Sequence, residues 1–312
     1  MTLNAHAPSA KAQPGRFKLS PKTRRKIVPY AFLTPAVVIL LVTIVYPVFY
    51  GLTLSLYQWS LSDINQPPVF VGLANFIELF KSPFFHTSVT VTLKFTLIVV
   101  AVELLLGLML ALLLEEKMKG LRLFRTIFVL PIMVAPVVVG VIWRFLYDPS
   151  FGLINYVLGQ IGVAPRLWLA DPALALGAII MTDVWQWTPF VFLLLLAALQ
   201  GVPRELLEAG HVDGTTYWQN LFYIKLPMIK TIIGITAALR LIDGFRGLVV
   251  MYIMTFGGPG MSTEILSLHL YKTAFGSQRL GLASAIAVIL LGIIFVITLV
   301  MLIGFQKREE LR

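Results

Sequence analysis

The 312-residue chain contains no cysteine, which excludes disulfides, thiol catalysis and iron–sulfur ligation together. Its four histidines (His6, His86, His211, His269) lie far apart, without HExxH or comparable spacing, so no metal site is expected. Charge is scarce: 13% of residues, where a soluble domain would carry about 25%. There is no GxxxxGK[ST] phosphate loop, so ATP is not bound and hydrolysed here by that route. Nor is there a GxSxG pattern, which leaves an intramembrane enzyme without a recognisable nucleophile. The duplicated halves common in secondary transporters are also missing.

What remains is apolar. Hydrophobic residues make up 58% of the chain. They fall in runs of about 20 or more, the length that crosses a hydrocarbon core of roughly 30 Å. Lipid offers backbone groups no partner, so the spans must be helical. The sequence predicts an all-α membrane protein with six spans, near 28–56, 88–114, 125–146, 173–199, 229–255 and 281–305. The basic segment 1–27, ending in SPKTRRK, has no cleavable apolar core and is expected to be a disordered tail before an uncleaved first span. Residues 28–306 form the membrane domain, and 307–312 a short second tail.

Charge orients the bundle. With both termini inside, only Lys81, Arg166, Lys272 and Arg279 fall on the outer side, and Lys94, Arg144, Arg240 and Arg246 lie in or at the ends of spans. Every other Lys and Arg of the 25 then lies inside, as the positive-inside rule requires. The formal charge of +10 is therefore a topology signal, and no nucleic-acid partner is expected.

One polar segment interrupts this pattern. ELLEAGHVDGTTYWQNLFYIKLP (205–227) lies within an inside loop, 200–228. It reads as two short helices: Pro203 suits a first helical position, with Glu205 and Glu208 near that positive end. Gly210 suits the end of the first helix, Asp213 the N-cap of the second, and Pro227 the start of the next span. Leu206, Leu207, Val212, Trp218 and Leu221 are apolar in a place expected to be wet, which points to a surface that another protein covers.

This segment resembles the EAA loop of permease subunits of ATP-binding-cassette importers, with the pattern EAAxxDGAxxxxxFxxIxLP. It reads Glu208-Ala209-Gly210, Asp213-Gly214-Thr215, Leu221 and Ile224-Lys225-Leu226-Pro227. Gly210, Thr215 and Leu221 depart from the pattern. The carbohydrate branch is further resembled by YPVFYGLTLSL, FVGLANFIELF, LFRTIFVLPIMVAPVVVGVIWRFLYDPSFGLIN, DVWQWTPF and TFGGP, in order. The resemblance implies a type I importer permease fold of the bacterial inner membrane. It implies a homologous second permease, an ABC ATPase dimer and an extracytoplasmic solute-binding protein as partners, within membrane lipid. ATP and Mg belong to the ATPase, and no cofactor is expected on this chain. The coupling residues implied are Glu205, Glu208, Ala209, Gly210, Asp213, Gly214 and Pro227.

Ionisable residues within spans point to function. Arg240, Asp243 and Arg246 recur at helical spacing on the fifth span, with Gly244 and Gly247 leaving room beside them. Asp183, Gln186, Trp187 and Phe190 share a face of the fourth at i, i+3, i+4 and i+7. These two spans flank the polar loop, and the resemblance implies a sugar site there. An Arg240–Asp243 ion pair that only neutralises both charges is the competing reading. Glu103 has no assigned role beyond a buried interhelical bond. A polyol, glycerol phosphate or other anionic solute is the alternative cargo, because arginine suits phosphate. An ion-coupled secondary transporter is the more distant alternative.

Overall fold

The structure is a computed structural model that describes residues 21–63, 65–115 and 121–310. Two units separate at Tyr50. In the first, helix α1 (Pro21–Leu40) runs through a π-helical turn at Leu41–Val45 into α2 (Tyr46–Leu54). Pro47 follows the π-turn directly: a proline inside a helix removes one hydrogen bond and crowds the carbonyl four residues back, and the wider turn absorbs that crowding. Thr34 and Thr43 donate to the carbonyls of Tyr30 and Ile39, so neither hydroxyl faces lipid unpaired. Pro21–Lys26, expected in the tail, belong to α1; the rest of the expected tail, residues 1–20, lies outside the described residues.

The second unit takes in the end of α2 from Gly51 and then an antiparallel two-stranded ribbon, β1 (Tyr57–Gln58) and β2 (Val69–Phe70), pairing Tyr57 with Phe70. Then come α3 (Ala74–Lys81), α4 (Pro83–Leu113), α5 (Leu121–Met133), α6 (Pro136–Leu146), α7 (Leu153–Gln160) and α8 (Ala175–Gln200). The chain continues through α9 (Arg204–Val212), α10 (Tyr217–Gln219), α11 (Leu226–Phe245), α12 (Leu248–Met254), α13 (Leu266–Tyr271) and α14 (Leu280–Glu310). Among the described residues, five helices are long and apolar enough to cross a membrane, with a sixth where the bent α5–α6 pair counts as one span.

That third span is not the straight helix expected over 125–146. It bends by 98° between Met133 and Pro136. The residue before a proline is pushed out of the helical region, and Ala135 sits at φ −60°, ψ 138°. The fifth span also differs from the expected 229–255. A π-turn at Asn220–Lys225 joins α10 to α11, so one continuous helix runs over Tyr217–Phe245, and α12 is separate. Pro227 therefore lies within a span rather than starting one, and again a π-turn precedes the proline. At the other end, α14 continues to Glu310, so most of the expected 307–312 tail is helical.

The core is organised on α4 and α8. Gly107 lets them touch: a Cβ there would sit 2.6 Å from Val191 Cγ1. Small residues permit such approach where apolar burial against lipid gives little drive to pack. One apolar cluster joins Val91, Phe95 and Val99 of α4 to Ile179 of α8 and Met251 of α12. A second joins Ala111 to Val191, Phe192, Leu195 and Ile229. On α4 and α8, Glu103 and Asp183 fall between these clusters, so a polar layer is held between two dry ones.

The loops opposite the polar segment are pinned by side chains. Asn75, from the FVGLANF stretch, donates to the carbonyls of Ser55 and Tyr57 at 2.8 and 3.0 Å. Arg279 pairs with both carboxylate oxygens of Glu78 at 2.6 and 2.7 Å. Asn155 bonds the Arg166 backbone twice and accepts from Trp168 Nε1 at 2.8 Å.

Candidate functional site

Arg240 lies 1% exposed in the polar layer. Its Nε and Nη2 donate to the two oxygens of Glu103 at 2.6 and 2.9 Å, and Nη2 also donates to Asp183 at 2.8 Å. Asp243 stands farther, at 3.7 Å, with its side chain 44% exposed. Three helices, α4, α8 and α11, are thus cross-linked by one guanidinium whose rigid fork matches a carboxylate edge. The expected Arg240–Asp243 pair exists but is the weakest of the three. Glu103 gains a role that its lone position in a 31-residue apolar helix did not disclose; only its ionisability inside a span signalled it.

The Arg240 guanidinium also stacks on Trp187, 4.6 Å from the ring centroid, and Trp187 meets Phe190 edge-on at 6.2 Å. Trp187, Phe190 and Asp243 are partly exposed, whereas Asp183 and Gln186 are buried. Gln186 Nε2 donates to the Val134 carbonyl at 3.2 Å. That carbonyl belongs to the break between α5 and α6, where no helical donor follows. An unmet carbonyl inside a membrane costs several kcal/mol, so Gln186 stabilises the bend. Its Oε1 is buried without a partner.

Arg240, Asp243 and Arg246 do not share one environment. The helix ends at Phe245, and Arg246, at its cap, is exposed. Gly244 leaves no room for a ligand, because Thr96 fills the space: a Cβ there would lie 2.8 Å from Thr96 Cγ2. Gly247 faces Phe95 at ordinary contact distance and caps α12. Both glycines serve helix packing in this structure.

The 205–227 segment forms two elements as expected, with different punctuation. Pro203 flanks α9 in an extended conformation instead of occupying its first turn. Gly210 does not end α9; it is buried inside it, and a Cβ there would fall 2.7 Å from Asn220 Oδ1 and 3.0 Å from Thr215 Oγ1. Those two side chains bond each other at 2.7 Å. Asp213 is the C-cap of α9, and Gly214 takes φ +75°, which a side chain would resist, to turn the chain. The N-cap of α10 is Thr216, which forms a reciprocal capping box with Gln219. Its T-x-x-Q pattern is the sequence signal of that cap. Leu221, within the π-turn, is buried, against expectation. Glu205, Leu206, Glu208, Ala209, Val212 and Trp218 are exposed, Val212 at 88%. Gly210 and Asn220 hold the two halves of the segment together, Leu207 and Ile224 pack it on the second apolar cluster, and Lys225 pairs with Glu115, while its acidic and apolar outer face stays uncovered.

Comparison with known proteins agrees with this geometry. Residues 103–307 match the family described as binding-protein-dependent transport system inner membrane component. The chain is 36% identical over 291 residues to the probable ABC transporter permease protein YurN of Bacillus subtilis, covering 92% of this chain and 99% of that one. It is 36% identical over 289 residues to the trehalose/maltose transport system permease protein MalF of Thermococcus litoralis, covering 92% and 97%. It is 32% identical over 283 residues to the sn-glycerol-3-phosphate transport system permease protein UgpA of Pectobacterium atrosepticum, covering 90% and 94%. In fold it is similar to a chain of a bacterial alginate ABC transporter solved in complex with an alginate pentasaccharide-bound periplasmic protein (TM-score 0.79, 23% identity, 90% and 94% covered). The chain accordingly belongs to the binding-protein-dependent transport system inner membrane components, as a multi-pass permease of the bacterial inner membrane.

Proposed function

We propose that this chain is one permease subunit of an ATP-driven importer for a carbohydrate, coupled to a separate ATPase through the 205–227 loop. The observation that carries the coupling is the exposed face of α9, where Glu208 stands with Ala209 and Val212 on a helix anchored from behind by Gly210. A charge set among exposed apolar side chains suits an interface that becomes dry on docking, where an ion pair is worth more than on an open surface. Glu205, Ala209, Asp213, Gly214 and Pro227 shape that loop. It faces the cytoplasm with both termini, as the charge asymmetry requires. ATP and Mg are used by the ATPase, and a second permease and an extracytoplasmic solute-binding protein complete the machine.

The loop joins two spans that meet again at the polar layer. Asp183 lies 17 residues before Gln200, about 25 Å along α8. Arg240 lies on the span that leaves the loop. Motion of the loop would be carried along both helices to a cross-link that also holds α4. In this reading Trp187, Phe190 and Asp243 touch the solute: an aromatic face suits a sugar ring and a carboxylate its hydroxyls. Asp183, Gln186 and Arg240 position them, and Gly244 and Gly247 set the spacing of the helices.

A relative named for glycerol phosphate makes an anionic cargo the second reading. Against it, Arg240 donates to Glu103 and Asp183 and is not free for a phosphate. Proteoliposome uptake of the sugar held by the cognate binding protein tests the proposal. Uptake should require ATP and the ATPase and should survive collapse of ion gradients. Gradient-driven uptake by this chain alone would replace the importer with a secondary transporter.

A further inference from the structure

A cavity of about 760 Å³ opens beneath the polar loop, where the ends of α4 and α8 meet the start of α5. Arg125, Arg204, His211 and Lys225 line it, and Glu115 is the one acid among the described lining residues. Glu115 is already the ion-pair partner of Lys225, so that pair is balanced internally. Arg125 Nη2 donates to the Leu114 carbonyl at 2.9 Å, but its Nε is buried with no hydrogen-bond partner. A buried donor left unmet is destabilising, and a turn of the Arg125 side chain toward an oxygen in the cavity would relieve it. Arg204 and His211 present further donors to the same space. Along α9, Arg204, Leu207 and His211 recur at i, i+3 and i+7 and line the cavity, whereas Glu205, Glu208 and Val212 occupy the neighbouring face. One short helix thus offers an outward face for a protein and an inward basic face for something else.

We propose that this cavity binds a phosphate-bearing anion, with Arg125 and Arg204 as its principal donors. Guanidinium forks match phosphate oxygens, and the cavity lies where three apolar spans end, the depth of lipid headgroups. The headgroup of an acidic phospholipid is the source this position favours. Occupancy would brace the base of the loop against the bundle.

The test places the full chain, with the subunits it purifies with, in nanodiscs. The discs are phosphatidylcholine alone, phosphatidylcholine mixed with phosphatidylglycerol, or phosphatidylcholine with inorganic phosphate in the buffer. The mixed discs should raise Tm by several degrees, and Arg204→Gln should abolish that gain while Arg204→Lys keeps most of it. An equal gain with inorganic phosphate, again lost in Arg204→Gln, would keep the anion site and overturn the lipid as its source. No gain from either anion, or a gain that survives Arg204→Gln, would overturn the site.

Discussion

Replacing Arg240 by methionine would leave Glu103 and Asp183 in a dry layer without their shared cation. Both carboxylates are almost wholly buried. Removing one partner of a buried ion pair costs about 3–5 kcal/mol, mostly through the charge left behind. Arg240→Met should therefore lower the yield and Tm of the assembled complex strongly. Adding Glu103→Gln should recover part of the loss, because one stranded charge disappears with it. A double variant no more stable than Arg240→Met alone would show that the two residues are not coupled. Trp187 shares this dependence, since its ring lies against the same guanidinium.

At the scale of elements, the loop after α12 shows how many contacts can fix a short segment. Phe256 and Met261 take φ of 53° and 71°, and Gly257 and Gly260 take 84° and 52°. Thr263 Oγ1 donates to the Gly258 carbonyl at 2.8 Å. Glu264 accepts from Lys272 and bonds His269. Burial opposes its ionisation, but the hydrogen bonds from His269 and Lys272 outweigh that and hold its carboxyl below the ordinary value of 4.5. A carboxyl depressed in the folded state stabilises above its unfolded pKa and loses that contribution as pH falls through the folded one. Protection of residues 257–272 from hydrogen exchange, taken relative to the intrinsic rate at each pH, should therefore be high at neutral pH and fall in acid below the ordinary carboxylate range. Glu264→Gln should be weakly protected at both. Equal protection in the variant and the wild type would remove Glu264 from the clamp. In the polar loop, Gly210→Val should drive a side chain into Asn220 and Thr215, loosen α9 and cut uptake severalfold with little change in membrane insertion. Normal uptake would show that the close approach at Gly210 is dispensable.

The order of the spans was legible from apolar run length, and the polar loop from its contrast with that background. The break in the third span was also written, in Ala135-Pro136, yet run length alone reads through it, because a bend leaves hydropathy unchanged. The misread caps share one cause: Gly210 and Asp213 have the residue types of helix ends, and only the proximity of Asn220 shows that Gly210 serves packing instead. Glu103, Asp183 and Arg240 were each visible as costly charges. Their union was not, because 137 positions separate Arg240 from Glu103 and 57 separate it from Asp183.

At the scale of the whole molecule, the exposed acidic and apolar face of α9 and the charged cross-link deep in the bundle are joined by α8 and the Tyr217–Phe245 span. The cross-link serves folding, and the proposed coupling rests on the exposed face of α9. The two should separate in a single substitution, because Glu208 is exposed and contributes nothing to the core. The most direct measurement is solute uptake by the assembled importer carrying Glu208→Lys, together with the amount of ATPase bound and its stimulation by the loaded binding protein. The account predicts normal membrane insertion with weakened ATPase association, no stimulation and no uptake. Wild-type uptake with wild-type ATPase association would contradict it.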